Sequence, residues 1–125
     1  MKNYKELNVW KKGVEIVKMT YQLSRQIPEQ EKFGMISQMT RSAVSIPANI
    51  AEGSSRSSDK DYMRFLQIAL GSAFELQTYF IIVEEMKWVK ENEIAETQKL
   101  LEEEIKMIQA FIRKIASSNK PTAIS

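Results

Sequence analysis

Apolar residues recur along this chain at steps of three and four, the spacing of one face of an α-helix. Leu7, Trp10, Val14, Val17 and Tyr21 make the first such run. Pro28 closes it, because proline disfavours helical geometry at the residue before it. Ile36, Met39, Ala43, Ile46 and Ile50 make the second run, with Gly53 placed to end it in a left-handed C′ conformation. Ser58 is predicted to cap a third helix, with Asp61 in capping-box spacing, although Asp fits that box less well than Glu. Tyr62, Phe65, Ala69, Ala73, Leu76, Phe80 and Val83 carry the third helix onward. A polar turn from Lys87 to Glu91 surrounds Trp88 and Val89, and Leu101, Ile105, Ile108, Ile112 and Ile115 mark a fourth helix. No segment alternates as a half-buried strand does, and no Asn-Gly or Asp-Gly hairpin signal occurs. The pattern predicts an all-α fold, an antiparallel up-down-up-down four-helix bundle over residues 1–117. The closing "SSNKPTAIS" is expected to fray, and 118–125 to form a flexible tail.

Two features strain this simple plan. Pro47 falls inside the second helix, where it removes a hydrogen bond to the Ala43 carbonyl and crowds that turn. Either the helix kinks there, or Ser45 caps a fresh helix with Pro47 in its first turn. The 36–39–43–46–50 stripe keeps its phase across the proline, which favours one kinked helix. The third helix, "FLQIALGSAFELQTYFIIV", is apolar on nearly every side. Such a helix is buried all round, yet a helix of an isolated four-helix bundle keeps an outward face. Gln67, Ser72, Glu75 and Gln77 interrupt the run, which argues against a membrane span. A subunit interface over the outer face is the better account.

Composition then removes whole classes of chemistry. The chain has no cysteine and no histidine. Disulfides, thiolate catalysis and cysteine-bound zinc are excluded, and the commonest general base near neutral pH is missing. A di-iron bundle site, which needs a Glu-x-x-His motif on two helices, is excluded too. We expect no metal, no cofactor and no enzymatic activity. The opening "MKNYKELNVW" has no apolar core segment of the kind a signal peptide carries, which points to the cytoplasm. Formal net charge is +2, and the basic excess lies in the first half. That asymmetry reads either as ordinary solvated helix faces or as a basic surface for an acidic partner such as nucleic acid.

The candidate contacts are few. Lys11, Lys18 and Arg25 are spaced by seven along the first helix, with Lys12 beside them, and Arg56, Lys60 and Arg64 gather where the third begins. They form a candidate electrostatic footprint, but no RNP motif, helix-turn-helix or zinc finger accompanies them. "GSSRSS" lacks the second glycine and the lysine of a phosphate loop, and it joins two helices where such a loop would follow a strand. A cap and a turn explain it more simply, though a helix N-terminus with Arg56 nearby could hold one phosphate. Glu52 and Glu75 could act as an acid–base pair. The structural alternative makes them interior acceptors, satisfied by Asn49, Ser72, Arg41 or Arg64. On that alternative Asn49, Glu52, Ser72 and Glu75 form a polar core, and Asn49→Ala costs about 1–3 kcal/mol. Glu102 to Glu104 are expected on a solvated face of helix four.

Together "LNVW", "SQMTRSAVSIPANIAEGSSRSS" and "DYMRFLQIALGSAFELQTY" resemble the four-helix-bundle family of 23S rRNA intervening-sequence proteins, over roughly residues 4–112. The segment Ser45–Gly53 and the Gly-Ser-x-x-Glu-Leu at Gly71–Leu76 carry most of the likeness. Met35 and Thr40 stand where larger aliphatic side chains would be expected. The resemblance implies a left-handed bundle of bacterial origin, some members being encoded within insertions in large-subunit ribosomal RNA genes. It extends to the accessory protein of diversity-generating retroelements, a pentameric barrel that binds nucleic acid and a reverse transcriptase. It therefore implies a homopentamer, no established catalysis, and RNA or DNA as partner. A protein partner gripped by the ring is the alternative.

Overall fold

The computed structural model describes residues 3–118, and these form four helices with no strand among them. Helix α1 runs Asn8–Ser24, α2 Ser37–Ser54, α3 Asp59–Glu85 and α4 Glu91–Ser118. A 3₁₀ turn at Tyr4–Glu6 precedes α1, and a 3₁₀ turn at Glu29–Glu31 followed by a π turn at Lys32–Ile36 leads into α2. The predicted fraying of the chain end concerns mostly residues outside this range, but Ser117 and Ser118 are still helical.

Two helix pairs fix their own direction. Gln38 pairs with Tyr79, Ser42 with Glu75 and Ser45 with Ser72. As the number rises on α2 it falls on α3, so the two run in opposite senses along this seam. Lys12 pairs with Glu103, and Gln26, just past α1, pairs with Glu93, which sets α1 against α4 in the same manner. Helix α1 also packs on α2, and α3 on α4, closing the bundle around a core that includes Ile16, Met39, Ile46, Leu76, Phe80 and Ile108.

The α3 stripe lies inside as expected: Phe65, Ala69, Ala73, Leu76, Phe80 and Val83 are buried, with Tyr62 half-buried against them. So are Met39, Ala43, Ile46 and Ile50 on α2. Helix α2 passes through Pro47 as one element rather than restarting at Ser45. Helix α1 differs. Its buried residues are Val9, Gly13, Ile16, Thr20 and Leu23, not the expected run from Leu7 to Tyr21. Leu7, Trp10 and Val17 pack on the core's margin, and Tyr21 is half-exposed. The inner face was disguised by two small residues. Thr20 can be buried because its hydroxyl donates to the Ile16 carbonyl at 2.7 Å. Gly13 is there because a Cβ would stand 3.0 Å from Glu104 Oε2 and 3.3 Å from Pro47 Cβ.

Gly53 likewise has a different task from the one expected. It is a right-handed helical residue, and α2 ends beyond it at Ser54 with a right-handed cap at Ser55. What requires glycine is the crossing of α2 over α3, where a Cβ would meet Phe65 Cβ and Tyr62 Cδ1 at 2.9 Å. Ser58 caps α3 as predicted, accepting from the Asp61 N–H at 3.1 Å. At the far end Lys87 takes φ 58° in the turn that folds Trp88 and Val89 back on the core.

Glu104 is the clearest departure. Glu102 and Glu103 are exposed, but Glu104 is 0% exposed, and neither carboxyl oxygen has a hydrogen-bond partner. Three consecutive residues sweep about 200° around a helix, so they cannot share one face. Glu104 falls in the stripe of Leu101, Ile105 and Ile108. Burial pushes its carboxyl from 4.5 up to about 8, against a smaller opposing pull from the Lys12 ammonium.

Candidate functional site

The seven cations of the expected footprint differ in exposure and pairing. Lys12 donates to Glu103 at 2.7 Å, and its hydrogen bond and charge hold the Glu103 carboxyl below the usual carboxylate range. Arg56 pairs with Glu52 at 3.0 Å, and Arg64 lies 3.8 Å from Asp61. Both guanidinium groups also sit on the Phe65 ring, at 4.5 and 4.6 Å from its centre. Lys11, Lys18, Arg25 and Lys60 are exposed, with no ion pair among the described residues. Arg25 lines a cleft of about 430 Å³ between the end of α1 and the start of α4, which it shares with Glu93 and Glu96.

The joint "GSSRSS" uses its hydroxyls on its own backbone. Ser54 donates to the Ala51 carbonyl and Ser55 to the Glu52 carbonyl, both at 2.7 Å, while Ser58 caps α3. The segment is a helix stop followed by a helix start. No group of three acidic, His or Cys side chains suited to a metal ion exists among the described residues.

The expected polar core separates into two places. Glu52 is exposed and belongs to the Arg56 ion pair. Asn49, Ser72 and Glu75 join a seam between α2 and α3. Ser42 donates to Glu75 Oε1 at 2.5 Å, the Ser45 and Ser72 hydroxyls lie 2.7 Å apart, and Asn49 donates to the Ser45 carbonyl and hydroxyl at 2.8 and 2.9 Å. Glu75 is no interior acceptor. It stands exposed at the mouth of a cleft of about 400 Å³ lined also by Gln38, Arg41, Ser42, Ser45 and Ser72. Arg41 enters the cleft without any ion pair or side-chain hydrogen bond among the described residues. Sequence reading missed Gln38, Ser42 and Ser45 as cleft residues. The available signal was the polar column 38–42–45–49, which runs at helical spacing beside the apolar one.

A four-helix bundle with a polar seam between its second and third helices defines the class of protein. Over residues 5–110 the chain matches the family described as 23S rRNA-intervening sequence protein, and it belongs to that family. Its fold is similar to the crystal structure of a protein of unknown function from the S23 ribosomal protein family of Bacteroides thetaiotaomicron VPI-5482. That likeness has 26% identity and a TM-score of 0.77, and it covers 83% of this chain and 97% of the other. No curated protein matches the chain. The two segments that carry the sequence resemblance, around Ser45 and around Ser72, are the ones that meet at the α2–α3 seam.

Proposed function

We propose that this chain is a non-enzymatic, ring-forming bundle of the cytoplasm that binds RNA or another nucleic acid through its basic surface. The observation that carries the reading is the set of exposed cations Lys11, Lys18, Arg25 and Lys60, which form no ion pair among the described residues. Phosphate binding by such residues releases counterions, so the logarithm of affinity falls with the logarithm of salt by about 0.7 per phosphate contact on single strands. A filter-binding titration against structured RNA at two salt concentrations tests this, and a weak, salt-insensitive response would sink it. Lys11→Glu with Lys18→Glu should weaken binding while leaving assembly intact.

Assembly is supported by the outer side of α3. Ile68, Phe74, Ile81 and Ile82 are between 38% and 50% exposed there. Among the described residues α3 is also the helix long and apolar enough to cross a membrane, but its inner face is occupied by the bundle core. A second copy covering the outer face is the role we assign to that surface, and five copies follow the family resemblance. The same exposed apolar side chains favour a second reading, a ring that grips a protein partner. Salt-insensitive capture of protein with no RNA binding would favour that alternative.

A further inference from the structure

The cleft between α2 and α3 holds hydrogen-bonding groups that the fold leaves free. Tyr79 donates to Gln38 Oε1 at 3.3 Å, which leaves both N–H bonds of the Gln38 amide available. Asn49 donates to the Ser45 hydroxyl, and the Ser45 and Ser72 hydroxyls share a further hydrogen bond in which either can be the donor. Whichever hydroxyl accepts that bond keeps its own hydrogen free. Arg41 brings a guanidinium with no partner among the described residues. Three sets of donors thus line one cleft, a pattern suited to an oxyanion. Glu75 complicates that picture. Ser42 holds its Oε1, and its Oε2 accepts no hydrogen bond among the described residues. A bare anion would be repelled by this carboxylate. A ligand that carries an anionic group and a hydroxyl donor side by side satisfies every group in the cleft.

We propose that this cleft binds one ribonucleotide unit of an RNA strand, its phosphate on Arg41, Gln38 and the free hydroxyl of the Ser45–Ser72 pair and its 2′-hydroxyl donating to Glu75. The 2′-hydroxyl is the group that lets a protein tell RNA from DNA, so Glu75 is the residue that makes this discrimination. Surface lysines bind any polyanion, whereas this cleft selects the sugar. The inference rests on the nucleic-acid reading above, and it deepens that reading by naming the chemical class of strand.

The test titrates the full chain with a single-stranded RNA and a DNA of the same sequence, read by fluorescence anisotropy at fixed salt. A hydrogen bond to a charged group is worth enough to separate the two strands by about tenfold. Wild type should prefer RNA by that factor. Glu75→Ala should bring the ratio near one, lowering affinity for RNA and raising it for DNA as the repelling carboxylate is lost, and Arg41→Ala should weaken both strands several-fold. Ser42→Ala, which frees Glu75 to reorient without removing it, should lower the ratio partway, with the helical signal of all three variants unchanged. Equal, salt-sensitive binding of RNA and DNA by wild type overturns the cleft while leaving the nucleic-acid reading in place. So does an RNA preference that survives Glu75→Ala. Binding of neither strand overturns both.

Discussion

Glu103 and Glu104 are neighbours in sequence and respond to pH in opposite senses. Glu103 sits on the surface beside Lys12, and its lowered pKa adds stability that is lost as pH falls through the acid range. Glu104 is buried against Gly13, and Pro47 lies at the same point. Below 4.5 its carboxyl is protonated in folded and unfolded chains alike. Between 4.5 and about 8 the folded chain keeps a proton that the unfolded chain releases, so stability falls as pH rises through that window. Each unit of separation is worth about 1.4 kcal/mol, which puts the loss near pH 7 at about 3 kcal/mol relative to pH 4. The charged groups facing Glu104 are few. Lys12 comes from α1, while the titratable residues of α2, Arg41 and Glu52, are exposed and the buried residues of α3 are all apolar. Glu104→Gln should therefore flatten the decline. Thermal melts of both proteins at pH 5 and pH 8.5 measure it, and a wild-type melting temperature that holds or rises toward pH 8.5 would show that Glu104 ionises in place.

At the scale of the helix, two glycines make a controlled comparison. A methyl group at Gly53 would strike Phe65 and Tyr62 at 2.9 Å, so Gly53→Ala should separate α2 from α3 at a cost of about 1–3 kcal/mol. A methyl at Gly71 would meet nothing within 4 Å. In an isolated chain Gly71→Ala should stabilise α3 by about 0.5–1 kcal/mol. Denaturant titration of the two variants should give opposite signs, and a destabilised Gly71→Ala would place something against α3 that the single chain lacks. Legibility followed the same division. Helix α3 was readable because every buried position is apolar. Helix α1 was misread because Gly13 and Thr20, both on the inside, look polar or neutral as letters. Glu104 was misplaced because a charged residue at an interior position is recognised only once the stripe around it is fixed. The cleft could not be read from either helix alone, since it exists only when Ser42 and Ser45 are set opposite Glu75 and Ser72.

The whole molecule joins a charged surface to an apolar one. In the proposed pentamer five copies, each formally +2, would multiply a weak field fivefold, and a neutral Glu104 would add one further positive charge per copy. Repetition around an axis also lets contacts too weak alone act together. The proposed ring rests on the outside of α3, so Phe74→Glu with Ile81→Glu should disperse it. Both side chains are already half-exposed, so each chain should stay folded. Light scattering at low micromolar concentration should then fall from a multiple of 14.5 kDa to one chain, while a wild type that already scatters as one chain would refute the ring. The seam between α2 and α3 has a consequence for how this assembly is reached. Apolar faces resist sliding through their interlocked packing, and polar pairs add partners that must meet in register. The pairs at Gln38, Ser42 and Ser45 behave as the teeth of a rack. A slip of one turn, about 5.4 Å, would break the 2.7 Å contact of Ser45 with Ser72 and carry Gly53 away from the close crossing over Phe65 and Tyr62. These contacts seat the hairpin of α2 and α3, and the spacing of the cleft built on it is set by that engagement.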